Sequence, residues 1–215
     1  TLDLTDALHD YVVAHSTLPD PQLTPLAERT AALGDVSGMQ IGPEQGAMLT
    51  ALTRLSGGNF AVEVGTFTGF SSLCIAKGLA PGGRLLCCDV STEWTDIARE
   101  AWTAAGVDDR IDLVIAPASE TLAGLDDTTV DLAFIDADKG GYRTYLDLLL
   151  PKLADHGMIV VDNVLWSGTV VDPGPDADDN LRAIAEFNDH VVGRDDCDVA
   201  MLPVGDGVSL ITRRR

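Results

Sequence analysis

The chain has 215 residues, enough for one domain with a sizeable core, and its 46% hydrophobic and 22% charged residues are those of an ordinary globular protein. A net charge of −20 and a sequence pI of about 4.2 repel phosphate backbones and anionic lipid headgroups, so neither nucleic acid nor a membrane is an expected partner. No apolar run reaches the ~18 residues of a membrane span, and the acidic start TLDLTDALHD lacks the basic segment of a secretory leader, so a cytoplasmic protein is expected.

Residues 4–16, LTDALHDYVVAHS, read as a helix, and a second helical run, PQLTPLAERTAALGD, follows the break at Pro19–Pro21. Residues 43–56, PEQGAMLTALTRLS, are amphipathic, with Pro43 in a first helical turn, where its missing N–H costs nothing. From residue 59 the pattern alternates. NFAVEVG is a strand ending in glycine, and SSLCIAKGLA a helix stopped by Pro81-Gly82-Gly83. RLLCCDV is a second strand, TEWTDIAREAWTAAG a helix, IDLVIAP a third strand, ASETLAGL a short helix and VDLAFID a fourth strand. YRTYLDLLLPKL is helical and GMIVVDN is a fifth strand. The loop VLWSGTVVDPGPDADDN leads to the helix LRAIAEFNDHVV and to two last strands, DVAMLPV and GVSLITR, around a Gly-Asp-Gly turn.

Near-continuous apolar strands separated by helices predict a parallel sheet covered on both faces. The last two strands are joined too tightly for a parallel crossover and predict an antiparallel hairpin. The result is one α/β domain over 1–215: a seven-stranded, mostly parallel sheet over 58–215 behind a helical N-terminal cap over 1–57. Cys74, Cys87, Cys88 and Cys197 form no C-x-x-C, and three of them sit in apolar runs, so they read as reduced thiols rather than a disulfide frame or zinc site.

In such a sheet, ligands bind at the carboxyl ends of the strands near the topological switch point. There the first strand runs into Gly65-Thr66-Phe67-Thr68-Gly69, a G-x-x-x-G spacing unlike the G-x-G-x-x-G of dinucleotide sites. Its glycines suit close backbone approach to a ligand, or simply a sharp strand-to-helix turn. The second strand ends at Asp89, ~20 residues on, where an acid can accept from ribose hydroxyls. Asp89 also fits as a cap for the following helix, a role Ser91 can fill instead. Glu63 lies inside an apolar strand and needs a partner, for which a cofactor amino group is one candidate. The backbone of Ala116-Pro117-Ala118-Ser119 could edge an adenine.

The fourth strand ends at Asp136-Ala137-Asp138-Lys139 and the fifth at Asp162-Asn163, on the same rim. Two carboxylates and an amide suit a hard divalent cation such as Mg²⁺. Each residue alone also fits a polar turn or helix cap. Lys139, one of only three lysines, follows Asp136 by three residues. A divalent neighbour disfavours an ammonium, which suits Lys139 to take a proton as general base.

On these residues the chain resembles the cation-dependent O-methyltransferases, the group of caffeoyl-CoA O-methyltransferase and its bacterial relatives, and more distantly animal catechol O-methyltransferase. The resemblance runs from about Met39 onward and is carried by VEVGTFTGFSSL, FIDADKGGY, VVDNVLWSG and MLPVGDGVSL. It implies a Rossmann-like class I methyltransferase fold, a small phenolic acceptor and, as in most relatives, a homodimer. It implies S-adenosylmethionine (SAM) contacts at Glu63, Gly65, Thr66, Ser71, Asp89, Ala118 and Asp138. It implies Asp136, Asp162 and Asn163 as ligands of Mg²⁺, or of Mn²⁺ or Ca²⁺, with Lys139 as base beside Asp136. Met39 and Ile41 match the segment that covers cofactor and substrate, and Trp166 a tryptophan near the acceptor. Ser167 stands where plant enzymes carry an acceptor-contacting asparagine, and the plant chains have extra residues before the fourth strand. The expected reaction methylates one hydroxyl of a vicinal-diol aromatic; a polyketide or sugar hydroxyl is the alternative acceptor.

Overall fold

The computed structural model describes residues 5–18, 20–126 and 129–214. Leu4, the first residue of the expected N-terminal helix, and Pro19, one side of the expected break, lie outside them. Among the described residues one sheet of seven strands runs β3-β2-β1-β4-β5-β7-β6. Its strands are β1 Phe60–Val64, β2 Arg84–Asp89, β3 Ile111–Ile115, β4 Val130–Ile135, β5 Leu153–Val161, β6 Cys197–Leu202 and β7 Val208–Arg213. The first five pair in parallel, and β7 pairs antiparallel with both β5 and β6. The expected hairpin therefore closes one edge, with β7 inserted between β5 and β6.

Helices α1 Asp6–Ala14, α2 Leu23–Ala31, α3 Pro43–Leu55, α4 Phe70–Gly78 and α5 Thr92–Ala104 precede β3, and α6 Ala118–Ala123, α7 Tyr142–Leu149 and α8 Asp179–Val192 follow it. Two apolar clusters cover the two faces. Trp102, Leu49, Leu73 and Phe134 fill the face under α2–α5, and Tyr142, Leu146, Ile159 and Phe187 fill that under α6–α8. The helix α4 shows no polar stripe because it is covered on all sides, by α3, α2, α5 and β2. The four cysteines are buried and unpaired. Among the described residues no helix is long and apolar enough to cross a membrane.

Three boundaries differ from the sequence pattern. β5 begins at Leu153 rather than Gly157, and its pairing with β4 shifts register between Val130 and Leu132. An irregularity of this kind breaks the apolar run without ending the strand. α7 stops at Leu149 and tightens into a 3-10 turn, Leu150–Lys152, because Pro151 has no N–H to continue the ladder. The loop after β5 carries a 3-10 segment, Trp166–Val171, and α8 starts at Asp179, where the Asp178 side chain caps the Leu181 N–H at 2.7 Å.

The order reverses at the β1/β4 pair, which leaves a crevice above the carboxyl ends of these two central strands.

Candidate active site

The glycine loop is held from below by Asp89. One carboxylate oxygen accepts the N–H of Thr66 at 2.8 Å and of Phe67 at 2.9 Å, and the other accepts that of Ser91 at 2.8 Å. Ser91, not Asp89, caps α5, its hydroxyl accepting the Trp94 N–H at 3.4 Å. A carboxylate has about four acceptor sites, so Asp89 keeps one of them while it shapes the loop. Gly65 has φ 93° and Gly69, at the start of α4, φ 91°. A Cβ on Gly65 would stand 1.9 Å from the Asp136 carbonyl oxygen, so the glycine loop and the end of β4 are in direct backbone contact.

The next group forms where β4 and β5 end. Lys139 Nζ donates to Asn163 Oδ1 at 2.6 Å, to Tyr142 Oη at 2.7 Å and to Asp136 Oδ1 at 3.1 Å. The Tyr142 hydroxyl donates onward to the Asp162 carbonyl at 3.2 Å. Asn163 holds a left-handed φ of 58°, and its N–H donates to Asp162 Oδ1 at 2.7 Å. Burial raises the Asp136 carboxyl, against the pull of Lys139. Burial and the charge of Asp136 push Asp162 up to about 7. Two buried acids thus face one ammonium, with an amide oxygen turned to the same point. The two carboxylates and the amide form an oxygen-only donor set that fits a hard divalent cation.

The wall beyond carries Trp166 and Ser167, both left-handed, at φ 44° and 52°. The hairpin turn between β6 and β7 holds this strained pair in place. Asp206 Oδ1 accepts the Ser167 N–H, its carbonyl accepts that of Leu165 at 3.0 Å, and the Gly207 carbonyl accepts that of Val164 at 3.1 Å. Such conformations cost about 1–3 kcal/mol each and persist only when surrounding contacts impose them. Asp206→Ala should therefore release the Ser167 N–H and lower the stability of the folded protein by about 1–3 kcal/mol. Denaturant unfolding of the two proteins checks this, and an unchanged midpoint would remove the clamp.

These parts line one cavity of about 950 Å³, toward the upper end of ordinary ligand sites. Its lining includes Gly65, Thr66, Ser71, Asp89, Ala118 and Asp138 together with Asp136, Lys139, Asp162 and Asn163. Trp166, Ser167, Met39 and Ile41 complete it. Met39 is 46% exposed and Ile41 is buried, so this segment borders the mouth.

Glu63 is the exception: the structure does not bring it into the cavity wall. Its side chain is fully buried behind Thr66 and Ser71, among the core residues under α4. No cation faces it. Cys87 Sγ donates to Oε2 at 3.4 Å, and Oε1 has no partner. Burial pushes its carboxyl to about 8 from an ordinary 4.5. The folded state thus retains a proton that the unfolded chain releases near 4.5, so stability is full below that pH and is lost as pH rises toward 8. Glu63→Gln removes this dependence. Its stability gain over the natural protein should grow from pH 5 to pH 9, to the order of a few kcal/mol. Thermal melts of the ligand-free proteins across that range test it, and a pH-independent difference would contradict it.

Sequence reasoning missed several lining residues. Gln45 on α3, Trp94 on α5, Tyr145 on α7 and Asp206 in the hairpin turn all reach the cavity. Tyr145 also donates to Asp138 at 2.5 Å. Asp206 lies in the run MLPVGDGVSL that carried the resemblance, which was the available signal; Gln45 and Trp94 look like ordinary amphipathic-helix residues.

The O-methyltransferase family model matches residues 13–214. A probable caffeoyl-CoA O-methyltransferase of Dictyostelium discoideum is 41% identical over 174 residues, 79% of this chain and 75% of its own length. The structure of the SAH-bound Podospora anserina methyltransferase PaMTH1 superposes with a TM-score of 0.88 at 27% identity, covering 100% of this chain and 99% of that one. The O-methyltransferase TomG of Streptomyces achromogenes, solved with SAM, gives 0.85 at 27% identity, covering 97% and 96%.

Proposed function

The chain belongs to the O-methyltransferase family, and from that membership we propose that it moves the methyl group of SAM onto one hydroxyl of a vicinal-diol aromatic, with a divalent cation at Asp136, Asp162 and Asn163. The observation that carries the reading is the seat around Lys139. The oxygens of Asp136 and Asn163 already converge on a positive charge there, and the glycine loop touches Asp136 directly.

Asp136, Asp162 and Asn163 would hold a divalent cation there, which would supply Lewis-acid chemistry that favours loss of a proton from an acceptor hydroxyl. Asp136 and Asp162 supply the charge to hold it, and Asn163 a neutral oxygen. Lys139 Nζ, entering the step as the neutral amine, accepts the proton of the reacting hydroxyl and becomes the ammonium. The freed oxygen then forms its bond to the methyl carbon as the carbon–sulfur bond breaks, and sulfur keeps the electron pair. Asp89 holds the loop of Gly65, Thr66 and Phe67 in the shape that receives the methyl donor, with Ser71, Ala118 and Asp138 beside it. Trp166, Ser167 and Met39 bound the acceptor and exclude water from the line of approach, and most of the acceleration comes from that positioning.

The lining also bears on the acceptor. Lys139 is the one cation among the described lining residues, against Asp89, Asp136, Asp138, Asp162 and Asp206, and the adjoining loop adds Asp172, Asp176 and Asp178. An uncharged or cationic catechol suits such walls better than a coenzyme A ester with its phosphates. A pairing of two copies through the N-terminal helices belongs to the same reading, since α1 buries none of its residues and exposes Tyr11 and Val12.

The test is turnover of labelled SAM with simple catechols, caffeate and caffeoyl-CoA, with and without EDTA. Catechol methylation should proceed and EDTA should abolish it, with Mg²⁺ restoring it. Undiminished activity in EDTA would sink the metal role, and methylation of lone hydroxyls alone would sink the diol.

A further inference from the structure

One side chain without an assigned role ties the apolar core to a carboxylate of the cavity. Tyr145, in α7, packs in the core cluster with Tyr142, Leu146 and Leu149, and it is only 8% exposed. Its hydroxyl nevertheless reaches the cavity wall and donates to Asp138 Oδ1 at 2.5 Å. Burial and the neighbouring carboxylate raise the phenol above its ordinary value, so Tyr145 enters the pair as the donor. A hydrogen bond to an ionised acceptor is about twice as strong as one between neutral groups.

The chain is folded so that this bond can form. Asp138 stands just beyond β4 and is exposed. Its backbone carbonyl accepts the Gly141 N–H at 3.0 Å, which turns the chain into α7 and brings the Asp138 and Tyr145 side chains together. Gly141 leaves room for the pair. A Cβ there would stand 2.6 Å from Tyr145 Cζ and 2.7 Å from Asp138 Oδ2.

The charge of Asp138 is also left for a ligand. The bonds that Lys139 makes go to Asp136, Tyr142 and Asn163, and none of them to Asp138. One oxygen of Asp138 is thus held by a neutral phenol, and the carboxylate lines the cavity. Such a group suits a cationic part of a ligand, and SAM carries one in its α-ammonium.

We propose that Tyr145 is a positioning residue for SAM: its hydroxyl holds Asp138 Oδ1, so that Oδ2 is set to accept from the α-ammonium of SAM. This rests on the placement of Asp138 beside the methyl donor given above. Tyr145 acts through Asp138, not by touching the ligand. Fixing the carboxylate beforehand removes rotamer freedom that binding would otherwise have to remove.

The test is a double-mutant cycle, read by calorimetry with S-adenosylhomocysteine, which keeps the α-ammonium. Tyr145→Phe removes the hydroxyl and keeps the ring, and its dissociation constant should rise about 10-fold. Asp138→Ala should weaken binding at least as much. Adding Tyr145→Phe to Asp138→Ala should change the constant by less than about two-fold, because the phenol then has no carboxylate to hold. 5′-Methylthioadenosine lacks the amino-acid part. Measured by competition, it should bind the natural protein and Tyr145→Phe within about two-fold of each other. Tyr145→Met, also without a hydroxyl, carries the same cycle if the phenylalanine variant does not fold. Unchanged S-adenosylhomocysteine binding in a folded variant overturns the proposal. So does a loss that persists in full beside Asp138→Ala, or one shared equally by 5′-methylthioadenosine, because the cavity as a whole would then have changed. If Asp138→Ala alone leaves binding unchanged, the placement of Asp138 beside the methyl donor fails and takes this inference with it. If the natural protein binds no S-adenosylhomocysteine, the SAM reading itself fails, and both results are distinct from a failure at Tyr145.

Discussion

Lys139→Met should lower kcat by ~10²–10⁴-fold, the range that a well-placed proton acceptor contributes, and leave S-adenosylhomocysteine binding unchanged. Lys139 is largely buried and bonds Asp136, Tyr142 and Asn163, none of which forms the glycine loop. Its removal also takes away the positive charge between two acids, so cation binding should hold or tighten. Lys139→Arg separates charge from proton transfer. The guanidinium keeps the charge but gives up no proton at working pH, so it should fail nearly as badly. Single-turnover rates at saturating SAM and Mg²⁺, with calorimetry for the ligand constants, decide the matter. A loss of under ~3-fold in kcat for Lys139→Met would remove Lys139 as base.

Gly65→Ala should do comparable damage by another route. A left-handed alanine costs about 1–2 kcal/mol through its own backbone. The larger effect is steric, since the added carbon would stand 1.9 Å from the Asp136 carbonyl and no side-chain rotation relieves a clash with backbone. Either the loop that shapes the donor end or the strand end that carries Asp136 must move. Both ligand binding and kcat should fall, each by at least ~100-fold, because displacements near 1 Å already cost that much. Gly82→Ala is the control. Gly82 has φ 80° but open space around it, so the variant should lose only the backbone increment and keep full S-adenosylhomocysteine affinity. Equal losses in the two variants would mean that left-handed strain, not the contact with Asp136, explains Gly65.

The architecture was largely legible because the signals were local. Apolar runs such as FAVEV and DLAFI are strands buried on both faces, and the short Gly-Asp-Gly link could only turn a hairpin. The rim of Gly65, Asp89, Asp136, Asp162 and Asn163 followed from strand ends alone. Ambiguities of role yielded only to geometry. Asp89 read as cap or ribose acceptor until Ser91 was seen capping α5 and Asp89 gathering the loop N–H groups. Glu63 needs a partner by its sequence context, a cofactor amino group being one candidate, and strand alternation puts it on the same face as Ala61, buried under α4 with Oε1 unpartnered among the described residues. Gln45 could not be found by pattern, because the turn that closes over it at Gly205 lies more than a hundred residues away in the chain.

The hairpin turn also differs from the donor end in what a substitution there meets. Residues 204–207 sit at the edge of the sheet, yet they bear on the cap helix through Gly205 and on the Trp166 loop through Asp206 and Gly207. The donor end is built from the two central strands, where one added methyl group collides with backbone. A substitution at Gly205 in this turn therefore meets a side chain, whereas at Gly65 a single added carbon meets backbone.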